Sequence, residues 1–68
     1  MLELTVRYSK GRYYPMRRHT GVREWQYVQR DGVIVSCTSQ EQAEGLLEVM
    51  RTELMARGRI CHILAARP

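Results

Sequence analysis

The sequence predicts an α+β domain in which one helix packs on one face of a mostly antiparallel β-sheet, with the element order β-β-β-β-α-β. Three observations support this prediction. The N-terminal residues alternate between apolar and polar, an Asp-Gly pair separates two runs rich in β-branched and aromatic residues, and a capped amphipathic helix follows. With 68 residues, the chain is too short for two hydrophobic cores. We therefore expect one small domain over residues 1–68.

The first two strands are expected at the N-terminus. Every second residue from Leu2 to Tyr8 is aliphatic or aromatic, which is the period of a half-buried strand. Residues 9–11 have the composition of a turn. A second strand is expected over residues 13–19, and Pro15 should confine it to a sheet edge or a bulge, because proline has no N–H to donate.

A second hairpin is predicted around Asp31 and Gly32, since both central residues of a type I′ turn need positive φ. The paired residues would be Arg30 with Val33, Val28 with Val35, Gln26 with Cys37 and Tyr27 with Ser36. One face would carry Val28, Val33, Val35 and Cys37, and the other Arg23, Trp25, Tyr27, Gln29 and Ile34. Either the aliphatic face meets the helix and leaves the aromatic face open, or the aromatic rings complete the core, because the chain has no Phe.

The helix is predicted over residues 39–57. Its start fits a capping box in either of two registers, Thr38 with Glu41 or Ser39 with Gln42. Gly58 fits a C-terminal cap. The apolar residues expected to pack on the sheet are Ala43, Leu46, Leu47, Met50 and Leu54. The apolar run at residues 60–65 then predicts a last strand that returns to the sheet.

The cysteines and histidines lack the spacing of a metal site. Cys37 and Cys61 are too few for a disulfide framework, and we expect both as free thiols. Cys61 and His62 would project to opposite faces of a strand, which argues against a shared metal and against a Cys–His nucleophile. The five glycines are scattered singly, so no phosphate-binding loop is indicated. We therefore expect no metal, no cofactor and no enzymatic activity.

The sequence also bears on membranes. No apolar run approaches the ~18 residues of a membrane-spanning helix, and the N-terminal residues carry charge in place of the apolar part of a signal peptide. The predicted helix is acidic on its polar side, which argues against association with a membrane surface. A cytoplasmic location is therefore expected.

The positive charge is concentrated in the first half of the chain. The net charge is +4; residues 1–30 hold seven basic against two acidic residues, whereas residues 31–68 hold four against five. Ten of the eleven basic residues are Arg, which suits bidentate contacts with phosphate or carboxylate and stacking on rings. This asymmetry indicates an anionic partner, either nucleic acid or an acidic protein surface. The alternative is a solubilising excess of charge.

The candidate binding residues combine these cations with nearby aromatic rings. They are Arg7, Lys10, Arg12, Arg17, Arg18, Arg23, Trp25 and Tyr27. Such residues bind single-stranded nucleic acid by stacking and backbone contacts, which favours a small basic protein that binds DNA, RNA or a nucleoprotein. The alternative is a phage-encoded, anti-CRISPR-like inhibitor that blocks a host protein complex, since Trp, Tyr and Arg also dominate protein interfaces. A homodimer would add burial that so small a domain lacks.

Residues 22–57 resemble a known family. The run W-x-Y-V-x-x-D-G-x-x-V-S, from Trp25 to Ser36, followed by Thr38 and a helix, is similar to the arm-type DNA-binding domain at the N-terminus of phage-type tyrosine recombinases. The resemblance implies a three-stranded sheet packed on one helix and docked in a DNA groove, with Arg23, Trp25 and Tyr27 on the DNA-contacting strand. The strand predicted after the helix departs from that family. Similar arrangements of a sheet and a helix occur in many small phage proteins.

Overall fold

The computed structural model describes residues 1–64, which form a four-stranded sheet, a separate two-stranded hairpin and one helix. In chain order the elements are β1 (Leu2–Ser9), β2 (Arg12–His19), β3 (Gln26–Tyr27), β4 (Gln29–Arg30), β5 (Val33–Ile34), α1 (Gln40–Ala56) and β6 (Cys61–Ile63). The sheet has the strand order β3-β2-β1-β6, in which β1 and β6 are parallel and the other neighbours antiparallel. The predicted α+β class and mostly antiparallel sheet are confirmed.

The hairpin β1–β2 forms the centre of the sheet. Lys10 and Gly11 make its turn with φ of 50° and 80°, the left-handed conformation that a tight hairpin turn of this kind requires. The two strands pair along their whole length of eight residues. Because side chains alternate along a strand, Leu2, Leu4 and Val6 point to the same side, where all three are buried.

On the side away from β1, β2 is paired by two separate segments, one on each side of Pro15. On this outer edge β3 pairs with the two residues that follow Pro15, while Cys37 exchanges two backbone hydrogen bonds of 2.8 and 2.9 Å with Tyr13. Between them the Pro15 carbonyl accepts a hydrogen bond from the Val28 N–H at 3.2 Å, but the proline nitrogen on the same edge has no hydrogen to donate. β2 therefore lies inside the sheet, and the chain leaves the sheet after Val28 to form β4–β5.

The turn of the β4–β5 hairpin is confirmed. Asp31 and Gly32 have φ of 53° and 79°, and Arg30 pairs with Val33 as predicted. The Val35 N–H donates to the Val28 carbonyl at 2.9 Å, in line with the predicted pair, but the predicted pairs Gln26 with Cys37 and Tyr27 with Ser36 are wrong. The structure instead pairs Gln26 with Arg17, Tyr27 with Met16, and Cys37 with Tyr13. The reason is that the long strand β2 offers free backbone groups on both sides of Pro15, and pairing with it satisfies them.

The helix packs on β1, β2 and β6. The buried core at this contact consists of Leu2, Leu4, Val6, Cys37, Ala43, Leu47 and Cys61. The predicted helix face is confirmed, since Leu47 is 1% exposed and Leu46, Met50 and Leu54 pack against this core while partly buried.

Neither alternative for the hairpin holds. Val33 is 67% exposed, and Val28 and Val35 are half-buried outside the core cluster. Of the predicted aliphatic face, Cys37 joins the core. The aromatic residues do not meet the helix either, as described below. The physical reason is that β1 already presents an aliphatic stripe that the helix covers, so the hairpin is not needed to bury the helix.

The helix begins in the second of the two predicted capping registers. Ser39 Oγ accepts a hydrogen bond from the Gln42 N–H at 3.1 Å, and Gln42 Oε1 accepts one from the Thr38 N–H at 3.1 Å. At the other end Gly58 has a φ of 79°, and its N–H and that of the next residue donate to carbonyls of the last helical turn, which is a Schellman motif. The prediction of residues 39–57 differs by one residue at each end from the observed helix.

The last strand is shorter than predicted. β6 pairs in parallel with the start of β1 over three residues; of the predicted span, residue 65 lies outside the described residues. Cys61 is buried and His62 exposed, so these neighbours do project to opposite faces. Burial raises the pKa of the Cys61 thiol above its ordinary value, against a smaller lowering by the charge of Arg51.

Candidate functional site

The side of the sheet that faces away from the helix carries most of the candidate residues. We call it the aromatic face and define it by Glu3, Arg7, Arg12, Tyr14, Met16, Arg18, Trp25 and Tyr27. These residues lie on the side of the sheet opposite the buried aliphatic stripe of β1. Paired residues on neighbouring strands share a face, and so do residues two apart along one strand. Trp25 precedes β3 and joins the set through its contact with Arg18.

Met16 forms the floor of the aromatic face. Its side chain is 1% exposed, yet it does not belong to the core under the helix. The preceding residue, Pro15, is also buried, so that two consecutive strand residues are covered from opposite sides. Tyr27 lies directly across from Met16 in the neighbouring strand, and Tyr14 is two residues away on the same face. The rings therefore build a second, small apolar layer on this side of the sheet.

Tyr14 and Tyr27 make an edge-to-face pair above this floor. Their ring centroids are 5.5 Å apart and the ring planes are inclined by 78°, a favourable arrangement of two aromatic quadrupoles. Tyr14 is half-buried, whereas Tyr27 is 38% exposed. The pair holds Tyr27 in place while leaving part of its ring accessible to a ligand.

Arg18 connects Trp25 to the sheet. Its guanidinium carbon lies 4.3 Å from the centroid of the Trp25 ring, and its Nε donates to Glu3 Oε1 at 2.8 Å. Its Nη1 also donates to the Arg23 carbonyl oxygen at 3.4 Å. The Arg18 and Glu3 side chains are only 27% and 18% exposed, so this charge pair is partly shielded from solvent. Three different contacts thus hold one guanidinium.

The remaining cations are more accessible and differ in position. Arg7 and Arg12 are exposed on the aromatic face, and Lys10 is exposed in the turn at one end of it. Arg12 Nε donates to Ser36 Oγ at 2.9 Å. Arg17 lies on the other side of the sheet, because it pairs with the buried Leu4. Arg17 and Arg18, adjacent in the sequence, therefore face opposite ways.

Arg23 completes the candidate set. It lies in the connection between β2 and β3, and its side chain is exposed. The structure therefore brings five of the eight candidates together on one face, with Lys10 at the end of that face, Arg23 beside it and Arg17 on the opposite side. The five are Arg7, Arg12, Arg18, Trp25 and Tyr27.

Sequence reasoning missed Glu3 and Met16, and it noted Tyr14 among the basic residues without including it in the candidate binding set. The signal that identifies them is the turn at Lys10 and Gly11, because a two-residue turn fixes the register of the whole hairpin. That register pairs Glu3 with Arg18 and Arg7 with Tyr14.

A groove of opposite charge lies on the helix side. Its apolar lining comes from Val6, Leu47, Ile63 and Leu64, and its acidic rim from Glu41, Glu44 and Glu48. The first half of the chain is basic and the exposed side of the helix is acidic. The acidic side chains are thus concentrated on the helix, whereas most of the basic side chains lie on the strands and their connections.

Other chemistry is limited over residues 1–64. In that part of the chain no three His, Cys, Asp or Glu side chains form a group able to hold a metal ion, and no helix is long and apolar enough to cross a membrane. Cys37 and Cys61 are free thiols, both buried. The aromatic face offers rings and guanidinium groups, which bind by stacking, cation–π contact and ion pairing.

Comparison of the chain with protein-family models, with curated proteins and with solved structures finds no match. The segment that carries the resemblance to recombinase arm domains, residues 25–36, is divided in the structure. Its first part borders β2 and its remainder forms the β4–β5 hairpin outside the sheet.

Proposed function

We propose that this protein is a non-enzymatic binding module that binds DNA or RNA, free or in a nucleoprotein, through its aromatic face. The observation that carries the proposal is that Trp25 and Tyr27 share the side of the sheet that the helix leaves open with the exposed residues Arg7 and Arg12. Arg7 pairs with Tyr14, whose ring contacts that of Tyr27. Aromatic rings set among cations on a sheet allow bases to stack while the phosphates meet the arginines.

The charge distribution supports the same orientation. Arg7 and Arg12 border the rings and are exposed, and Lys10 extends the basic surface at the turn. The helix on the opposite side presents Glu41, Glu44, Glu48 and Glu53 to solvent. A polyanion that approaches the domain is therefore guided to the aromatic face before any short-range contact forms.

The test is a titration of fluorescently labelled oligonucleotides, single-stranded and duplex, at low and at physiological salt. We expect affinity that falls steeply with salt, because each neutralised phosphate releases counterions. Tyr27→Ala should weaken binding by about fivefold or more, the loss of one stacked base. The matched control is Val33→Ala, which removes an exposed side chain from the hairpin and should leave affinity unchanged.

Absence of binding to every oligonucleotide at low salt would overturn the proposal. That result would favour the inhibitor hypothesis, in which the same Trp, Tyr and Arg residues contact an acidic surface of a host protein complex.

A further inference from the structure

We infer that the ligand of the aromatic face is an unpaired strand and that Arg18 is a positioning residue that holds Trp25 as the stacking platform, not a phosphate ligand. The inference rests on the proposed function, since it names the class of nucleic acid and distinguishes Arg18, which positions a ring, from the arginines that contact phosphate. It is carried by two independent observations, the chemistry of the rings on the face and the contacts of the Arg18 guanidinium.

The chemistry of the face favours unpaired bases. A duplex exposes the edges of its bases in the grooves, and edges are recognised by hydrogen-bonding side chains such as Arg, Asn and Gln. The faces of bases become available only when the strand is unpaired. The rings of the aromatic face are those of Tyr14, Trp25 and Tyr27. These groups complement the faces of bases and not their edges.

Arg18 is already committed to contacts within the protein. Glu3 neutralises it through a hydrogen bond of 2.8 Å, the Arg23 carbonyl accepts from Nη1, and the guanidinium lies 4.3 Å from the Trp25 ring. A guanidinium paired with a carboxylate adds little to the attraction of a phosphate. The Arg18 guanidinium lies over one face of the indole and Trp25 is still partly exposed, so the inference assigns the base to the opposite face.

The first experiment uses the free protein and the fluorescence of its single tryptophan. Glu3→Gln and Arg18→Lys should each shift the Trp25 emission to longer wavelength and increase its quenching by acrylamide. Glu3→Gln removes the carboxylate that pairs with Arg18. Arg18→Lys keeps the positive charge but loses the planar guanidinium that stacks on the ring and donates several hydrogen bonds. Glu53→Gln is the matched control: it removes the same charge from the exposed side of the helix. Unchanged emission in both test variants would overturn the positioning role.

The second experiment measures binding of an unstructured oligothymidylate and of a hairpin duplex over a range of salt. Arg18→Ala should weaken single-strand binding about tenfold, since stacking is impaired. The slope of log affinity against log salt concentration should stay unchanged, since no phosphate contact is lost. A slope reduced by about 0.7 would show that Arg18 contacts a phosphate, and would overturn the inference. Circular dichroism of each variant shows that it is folded, and Arg18→Lys gives the second, milder substitution.

The outcomes separate the inference from the proposed function. Duplex binding as tight as single-strand binding, with Tyr27→Ala still weakening both, would overturn the unpaired ligand while the proposed function stands. Trp25→Ala equal to wild type in single-strand binding would overturn the role of Trp25 as the stacking platform. No binding of either oligonucleotide, together with the expected fluorescence shifts, would overturn the proposed function and the ligand class and support the positioning of Trp25 alone.

Discussion

The two sides of the sheet are built from the same two strands and differ in what covers them. On one side, the aliphatic residues Leu2, Leu4 and Val6 lie under a 17-residue helix. On the other, Met16 lies under rings that stay partly exposed, such as Tyr27. The first side is a conventional core. The second shows that a layer of long amphipathic side chains can bury a sheet residue while its outer surface remains available for contact.

The largest expected effect is on the helix side. Leu47→Ala removes a side chain that is 1% exposed and should cost ~2–5 kcal/mol of unfolding free energy, enough to unfold much of a domain of this size. Val49→Ala on the same helix, at a site 54% exposed, should change stability by no more than ~0.5 kcal/mol. Urea denaturation measures both. Equal midpoints for the two variants would contradict the assignment of the core.

The second prediction tests whether the aromatic side is a true packing layer. Met16→Ala should cost about 2 kcal/mol, at the lower end of the range for buried methionine, because side chains at the surface can relax into the space. It should also alter the emission of the nearby Trp25. The control is Met55→Ala, where the side chain is 54% exposed. A Met16 variant as stable as the Met55 variant would mean that the rings do not pack on the sheet.

The third prediction distinguishes the arginines of the two sides. The double variant Arg7→Ala with Arg12→Ala should flatten the salt dependence of single-strand affinity by about 1.4, since each phosphate contact contributes about 0.7. The control pair is Arg57→Ala with Arg59→Ala, which removes the same charge next to the helix C-terminus. The test is the plot of log affinity against log salt. Equal salt dependence for the two double variants would show that the net charge of the protein, and not the position of these arginines, determines the effect of salt on affinity.

The smallest effect concerns the thiol on the helix side. Burial raises the pKa of Cys61 in the folded protein, so the neutral thiol is favoured by folding. Its contribution to stability is fully present below the pKa of the unfolded chain and is lost as pH rises through the higher pKa of the folded state. At pH values above the Cys61 pKa of the unfolded chain, wild type should therefore lose more free energy of unfolding than Cys61→Ala does. Denaturation curves at increasing alkaline pH measure the difference, and parallel losses would contradict it.

The parts of the fold that depend on neighbouring residues could be predicted from the sequence. The turn at Asp31 and Gly32 needs positive φ at two positions, and the cap at Ser39 needs one hydroxyl near one N–H. The position of the hairpin depended on competition between distant partners. Cys37 pairs with Tyr13 instead of with Gln26, and Pro15 interrupts the edge of β2 that β3 borders. No local pattern describes that competition.

The candidate site divides in the same way. Composition and the alternation of the predicted hairpin proposed Trp25, Tyr27 and the arginines of the first thirty residues as candidates. It grouped Arg17 with Arg18, which the strand period separates onto opposite faces. It also missed Glu3, because an isolated acidic residue in a basic segment carries no signal until the register of the hairpin brings it to Arg18.

The gap at Pro15 also bears on how the protein behaves at high concentration. A sheet with two eight-residue strands would be prone to add strands from other molecules if either strand lay at an edge with unpaired backbone groups. Here the sheet ends in β3, of two residues, and β6, of three. The proline removes a donor from the stretch that β3 leaves uncovered. We therefore expect this chain to resist the addition of strands from other molecules along β2, where the proline interrupts the row of backbone donors.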